Sequence, residues 1–209
     1  MKLNEIYDSV VAEGSSAFAE VIAILEQAGA RYVMIGGLAV NSYVEPVFTS
    51  DADIVIALNE IDGFTGALLA RGYTVERYPF SLNFRKEGSD LSLQVSTDPA
   101  YQGFLDRAER KEVLGVPTNV ASLRDLIEGK IRAWSDPERR LSKRAKDQAD
   151  LLRIAERYTE MVSLLPERLK AEIIEDQVAR LHRTKQDIPR LPRPQGEREP
   201  PGLAARPIS

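Results

Sequence analysis

Apolar residues near the start of the chain recur at helical spacing. Phe18, Val21, Ile22 and Leu25 stand at i, i+3, i+4 and i+7 behind Ser15 and Ser16, so the spacing predicts a serine-capped helix ending near Gly29. Tyr32 to Ile35 is a short continuous apolar run stopped by Gly36-Gly37 and followed by Leu38-Ala39-Val40, which reads as a buried strand turning directly into a helix. Residues 52–58 form a second strand with Ile54 and Ile56 on one face and Asp53 and Val55 on the other. Asp51 shares the face of Asp53, because side chains two apart on a strand point the same way. A helix from Asp62 to Arg71 follows, and then three β-rich runs, Tyr73 to Tyr78, Leu82 to Arg85 and Leu91 to Ser96. The last alternates Leu91, Leu93 and Val95 inward with Ser92, Gln94 and Ser96 outward, and the whole predicts a mixed sheet.

Further along, Asp98-Pro99 opens a helix carrying Tyr101 and Phe104, and Val113 to Val120, broken by Gly115 and Pro117, reads as a short edge segment. The pattern then becomes helical. Ser122 caps a helix through Trp134, a second runs from Leu141 to Tyr158 with Ala145, Ala149, Leu152 and Ala155 toward a neighbour, and a third covers Pro166 to about His182. From Thr184 onward six prolines and scattered charge support neither a core nor a strand ladder, so this Pro/Arg-rich tail is expected to be disordered. The expected organisation is a core over residues 1–121, a helical C-terminal extension over 122–183 and the tail over 184–209.

Composition narrows the chemistry. A chain of 209 residues is long enough to bury a core without disulfides, and 28 basic against 32 acidic residues leave it mildly acidic, at −4. With no cysteine and one histidine, His182, thiol nucleophiles, zinc fingers, Ser-His triads and multi-histidine metal sites are excluded. A metal, if used, must have oxygen ligands, which favours Mg²⁺ or Mn²⁺. No apolar run approaches the roughly 20 residues that span a bilayer and no secretory leader is evident, so a cytoplasmic protein without membrane contact is expected.

The most informative constellation is Gly36-Gly37 followed by Asp51-Ala52-Asp53. Alone, the glycines read as a tight strand-to-helix turn and the carboxylates as a solvated strand end. Together they place two carboxylates able to hold one divalent ion beside backbone N–H groups able to bind phosphate. A sheet interior has no other use for two acids on one inward face. A second feature is the segment Glu138 to Lys146, with five positive side chains against one negative. It would attract a triphosphate or an RNA backbone, although short basic runs are usually solvated helix faces. Tyr101 and Trp134 have the flat rings that stack on bases, but packing is the expected role of both.

These motifs resemble those of the polymerase-β-type nucleotidyltransferase superfamily, whose signature places a glycine pair before a DxD strand. The context SDADIVIA after GGLAVNSY is similar to the AbiEii/AbiGii toxin-like nucleotidyltransferases. Leu126 to Lys130, and Lys143 to Asp150, resemble two further segments of that family, so the similarity covers residues 15 to about 157. The resemblance implies an α+β polymerase-β-like fold, a mixed sheet flanked by helices, with a helical extension closing over a nucleotide. It implies transfer of a nucleotide from an NTP to an acceptor hydroxyl with release of pyrophosphate, and leaves open whether the acceptor is a tRNA, a protein or a small molecule. Asp51 and Asp53 would hold the metal, Gly36 and Gly37 would cradle phosphate, and Thr49 and Ser50 would hydrogen-bond it. Lys130, Lys146 and Asp147 are placed at the nucleotide by the family motifs, Lys130 with a catalytic role. A toxin of this kind would also have an antitoxin partner.

One position departs from the superfamily. A third carboxylate is normally supplied by a later strand, and here Gln94 stands in the matching place, with Asp90 and Asp98 flanking. An amide oxygen can ligate Mg²⁺, so Gln94 joins Asp51 and Asp53 as a candidate ligand, but an amide cannot take a proton from an attacking hydroxyl. The competing expectation is therefore a catalytically degenerate nucleotide- or RNA-binding module of the same fold.

Overall fold

The computed structural model describes the backbone of residues 3–186 and the side chains of residues 15–180. By its internal contacts the chain divides after Lys170 into two units.

The first unit is built on a seven-stranded mixed sheet in the order β3-β4-β5-β2-β1-β7-β6. Its strands are β1 (Tyr32–Ile35), β2 (Asp51–Ile56), β3 (Tyr73–Tyr78), β4 (Ser81–Lys86), β5 (Ser92–Ser96), β6 (Glu109–Val113) and β7 (Val116–Val120). β1 runs antiparallel to β2, β2 parallel to β5, and β3, β4 and β5 form an antiparallel meander. The helices are α1 (Leu3–Gln27), α2 (Gly36–Asn41), α3 (Ile61–Leu69), α4 (Leu123–Ser135), α5 (Leu141–Arg157) and α6 (Glu167–Gln186).

One sheet face is the core. Phe18, Val21, Ile22 and Leu25 of α1 and Phe64 and Leu68 of α3 are buried, as are Met34, Ala52, Ile54, Ile56, Phe84 and Leu93 of the strands. Phe64 meets Phe84 edge to face at 6.0 Å. Lys86 of β4 joins Glu20 of α1 at 2.9 Å, tying helix to sheet at the rim of this layer. The other face is polar at β2 and β5, and there α2, α4 and α5 stand over the β1–β2 end.

Several details differ from the sequence pattern. α1 begins at Leu3, and Ser15 and Ser16 lie inside it instead of capping it. Its far end does stop as expected, with Gly29 at φ +61 and Ala30 N–H bonded to the Leu25 carbonyl. The helix expected after Asp98 is a 3-10 helix, Pro99–Arg107, with the Asp98 side chain accepting from Ala100 N–H at 2.9 Å. The segment expected at a sheet edge is a hairpin, in which β6 is the edge and β7 lies between β6 and β1. Pro117 is tolerated because β7 meets β1 only at Val120, opposite Met34, so no ladder bond is required of its nitrogen on that side.

Helix α4 starts where expected, with Ser122 Oγ accepting from Asp125 N–H at 3.2 Å and donating to Asp125 Oδ2 at 2.8 Å. In α5 the buried stripe is Asp147, Asp150, Leu151, Ile154 and Ala155, while Ala145 and Ala149 face solvent. Carboxylates occupy the inward face because cations from outside the helix meet them there. A 3-10 turn, Thr159–Leu164, separates α5 from α6, and α6 continues to Gln186, four residues past the expected end. The tail expected beyond it lies outside the described residues. In the second unit, residues 171–186 are helical, with Asp176 and Arg180 paired at 2.5 Å. Among the described residues no helix is long and apolar enough to cross a membrane.

Candidate functional site

The site grows from the junction of β1 and α2. Ile35 pairs with Asp53, and the chain then turns through Gly36 at φ +74. A Cβ at Gly36 would lie 2.0 Å from Asp53 Oδ2, so both the backbone angle and the space require glycine. Gly37 is less constrained, since a Cβ there would make ordinary contacts with Thr49 at 3.5 Å and Lys146 Nζ at 3.7 Å. On the other side of β2, Asp51 pairs with Ser92 and Asp53 with Gln94, which puts Asp51, Asp53 and Gln94 on one face. They form the floor of a cavity of about 220 Å³.

Helix α5 supplies the opposite wall. Lys143 Nζ stands 3.6 Å from Asp51 Oδ2, and Lys146 Nζ donates to Thr49 Oγ1 at 3.4 Å. Arg139, just before the helix, also lines the cavity and donates from Nε to Asp147 Oδ2 at 2.8 Å. A third wall comes from the Asp98-capped turn and α4: Tyr101 and Phe104 meet edge to face at 5.3 Å, and Gly129 lets the Tyr101 ring lie close, since a Cβ there would be 3.4 Å from it. Arg132 is 5.3 Å from the Tyr101 ring centre and pairs with Asp98 at 2.7 Å.

Two groups carry most of the electrostatic tension. Burial pushes the Asp53 carboxyl above its ordinary range and Asp51 adds to this, against the opposing pull of Lys130, Lys146 and Lys143. Lys130 is buried at 8% exposure. Burial disfavours its charge, but Asp150 and Asp147 outweigh that and leave its pKa raised. Its Nζ is 2.9 Å from Asp147 Oδ1 and 2.6 Å from Asp150 Oδ2. Lys130 thus borders the cavity while its ammonium is held by two carboxylates of α5.

The structure therefore brings together Gly36, Gly37, Thr49, Asp51, Asp53, Gln94, Lys130, Lys146 and Asp147 around one cavity or its rim. Ser50 is exposed and uses its carbonyl to bind Ser92 N–H at 3.0 Å, and it does not line the cavity. Asp90 is exposed on the turn before β5 and does not line the cavity either. Trp134 packs away from the site, donating from Nε1 to Gln148 at 3.2 Å. The His182 side chain lies outside the described side chains. The sequence placed Arg139 and Lys143 within a basic segment that would attract a triphosphate, and it did not single out Asp150. A signal for Lys143 and Asp150 was present: Lys143, Lys146, Asp147 and Asp150 stand at i, i+3, i+4 and i+7, one helix face carrying two cations followed by two carboxylates.

The donor set at Asp51, Asp53 and Gln94 is entirely oxygen, and the Asp51 charge beside Asp53 raises the proton affinity of Asp53, an arrangement that suits a hard divalent cation. Among the described residues no cluster of three or more acidic, His or Cys side chains forms a fuller cage.

No family model matches the sequence, and no curated protein matches it. Solved structures do. The chain is similar to the antibiotic-resistance factor ANT(2'')-Ia in solution, with a TM-score of 0.54 at 15% identity over 82% of this chain and 97% of that one. It is similar also to ANT(2'')-Ia in complex with adenylyl-2''-tobramycin, with a TM-score of 0.55 at 14% identity over 76% of this chain and 98% of the other. The fold of this chain is the nucleotidyltransferase fold.

Proposed function

We propose that the protein is a divalent-metal-dependent nucleotidyltransferase that moves a nucleotide from an NTP to an acceptor hydroxyl. The observation that carries this reading is the apposition of Asp51 and Asp53 with the Lys143 and Lys146 ammonium groups across one cavity. Such a site accepts a triphosphate between cations of two kinds, those of α5 and a metal on the carboxylates.

Asp51 and Asp53, with the Gln94 amide oxygen beside them, would hold Mg²⁺ or Mn²⁺, and the bound ion would neutralise charge at the reacting phosphorus. Lys146, with Thr49 and the first turn of α2, orients the phosphates, and Lys143 exchanges its contact with Asp51 for a phosphate oxygen. The acceptor oxygen bonds to the α-phosphorus and the bridge to the β-phosphate breaks. Pyrophosphate leaves with the electron pair, and the hydroxyl proton passes to water. Lys130 acts by holding α4 to α5 and by its charge near Asp53. A core over residues 1–121 with a helical extension over 122–183 remains our reading of the organisation. The AbiEii-like toxin role, with an antitoxin partner, rests on the sequence resemblance.

Incubation with each α-labelled NTP, Mg²⁺ or Mn²⁺, cellular RNA and protein extract tests the reading, with Asp51→Asn and Asp53→Asn run in parallel. Label transferred by the wild type alone is expected. Gln94 favours a second reading, a nucleotide-binding module without turnover. That reading takes over if NTP binds and no label moves to any acceptor.

A further inference from the structure

The floor of the cavity does not end at Gln94. Strand pairing continues the row outward: Asp53 pairs with Gln94, Gln94 with Asn83, and Asn83 with Glu76. Register partners point to one face, so these four side chains form a line across β2, β5, β4 and β3. At about 4.8 Å per strand the line reaches about 14 Å from the carboxylate of the site. The opposite face of the same strands is the buried core, with Phe84 and Leu93 fully covered. The polar face is open: Glu76, Tyr78, Arg85 and Gln94 are all exposed.

We propose that this open face of β3, β4 and β5 is the acceptor subsite, and that the acceptor it fits is a hydroxyl-rich small molecule of oligosaccharide size. The assignment rests on the nucleotidyl-transfer reading above. Three features carry it. First, the row is continuous with the reacting centre, so a ligand lying on it brings one hydroxyl to Asp53. Second, its side chains suit neutral hydroxyls. Gln94 offers both a donor and an acceptor, and Asn83 Oδ1 is buried with no hydrogen-bond partner, an acceptor awaiting a donor. Tyr78, 52% exposed with its hydroxyl fixed by Glu76 at 2.9 Å, presents a flat ring against which the C–H face of a sugar packs.

Third, the charge is wrong for a polynucleotide. Glu76 and Arg85 cancel on this face, whereas a nucleic-acid track needs clustered cations to neutralise successive phosphates. The clustered cations, Arg139, Lys143 and Lys146, line the cavity from the α5 side, where the triphosphate belongs.

Saturation-transfer NMR on the full chain with maltotriose, with triglucosamine and with tRNA tests this, alongside fluorescent-NTP binding and transfer of α-label to each. Saturation transfer to a sugar is expected in the wild type. Glu76→Ala and Tyr78→Ala, both at exposed positions, should weaken it roughly tenfold, the effect of losing about one good hydrogen bond or stacking surface, and leave NTP affinity unchanged. Asn83→Leu should do the same, with its melting temperature showing whether the fold is retained. Maltotriose and triglucosamine separate a neutral acceptor from an amino-bearing one, and either supports the assignment. No sugar binding, or binding indifferent to all three substitutions, with NTP bound and label passing to tRNA, overturns the acceptor assignment and leaves nucleotidyl transfer standing. Absence of NTP binding as well overturns the transfer reading, and the acceptor assignment falls with it.

Discussion

Asp53 and Lys130 are neighbours in space with opposite relations to the fold. Asp53 has its proton affinity raised by burial, so its folded pKa lies above the unfolded one. Stability from such a group is fully present below the unfolded value and is lost as pH rises through the folded one. At neutral pH, above the unfolded value, this group therefore works against the metal-free fold, a cost that a metal held there would offset. Asp53→Asn should abolish transfer and raise the metal-free melting temperature at pH 7 by about 2–4 °C, the shift that ~1 kcal/mol produces in a chain of this size. The gain should shrink at acid pH, where the wild-type carboxyl is protonated; a loss of melting temperature would contradict the burial argument. Lys130 is the reverse case. Removing it leaves Asp147 and Asp150 buried, at 3% and 2% exposure. Asp147 would retain Arg139 and Asp150 would retain Arg153, both on partly exposed stems. Lys130→Met should cost about 3–5 kcal/mol in urea unfolding, the usual effect of breaking a buried ion pair from one side. Loss of activity in that variant would then report lost packing of α4 on α5, and an unchanged unfolding midpoint would return Lys130 to the reacting centre.

Between elements, Arg153 of α5 is the strap that positions the connection from α2 to β2. It donates to Asp150 Oδ1 at 2.9 Å, to Asn41 Oδ1 at 3.1 Å and to the Glu45 carbonyl. Asn41 in turn clamps Val47 through its N–H and carbonyl, at 3.1 and 2.7 Å. Tyr158, just past the same helix, donates to the Tyr43 carbonyl at 3.0 Å. A connection without regular structure thus acquires its shape from a helix more than 100 positions away in sequence, and it delivers Thr49 to Lys146. Arg153→Met should lower stability by about 2 kcal/mol and raise the KM for NTP roughly tenfold, with kcat changed less, because positioning of the phosphates is lost while the carboxylates stay. Arg153→Lys should recover part of both; an equal fall in kcat and kcat/KM would instead place Arg153 in the transition state. The same connection shows what local pattern conveys and what it does not. The strands β1 to β5 and the start of α4 were legible because alternation, a glycine stop and a capping serine are local signals. Asp51, Asp53 and the glycine pair were legible for the same reason. Of the inward carboxylates of α5, Asp147 was reached only through the family resemblance and Asp150 was not reached, since an acid reads as a surface residue until its partners, Lys130 and Arg139, are brought to it from outside the helix. Pro117 likewise disguised β7, whose place inside the sheet depends on pairing only its last residue with β1.

On the scale of the molecule, charge is distributed against its average. The chain as a whole carries −4, yet the α5 side of the cavity presents Arg139, Lys143 and Lys146 over a floor of only two carboxylates. Arg139 is already engaged by Asp147 and Lys143 by Asp51, so the field that an incoming nucleotide meets depends on how readily these contacts exchange. A metal on the floor would release Lys143 from Asp51 and make the cavity more positive still, which couples nucleotide capture to metal binding without any movement of the backbone. Repulsion from the acidic remainder opposes approach at long range, whereas attraction to the cluster acts at short range. Salt screens both, but the long-range part first, because the Debye length shortens from tens of ångströms to a few as ionic strength rises. NTP affinity should therefore change little between roughly 0.01 and 0.1 M salt and fall steeply above that, as the short-range contacts are screened. Lys143→Met should flatten the steep limb and weaken NTP binding measured with metal, while Mn²⁺ binding measured alone by electron paramagnetic resonance should tighten, because Asp51 loses its competing cation. A variant that weakened Mn²⁺ and NTP together would show that Lys143 supports the carboxylate floor, and the coupling between metal and nucleotide would then have to lie in Lys146.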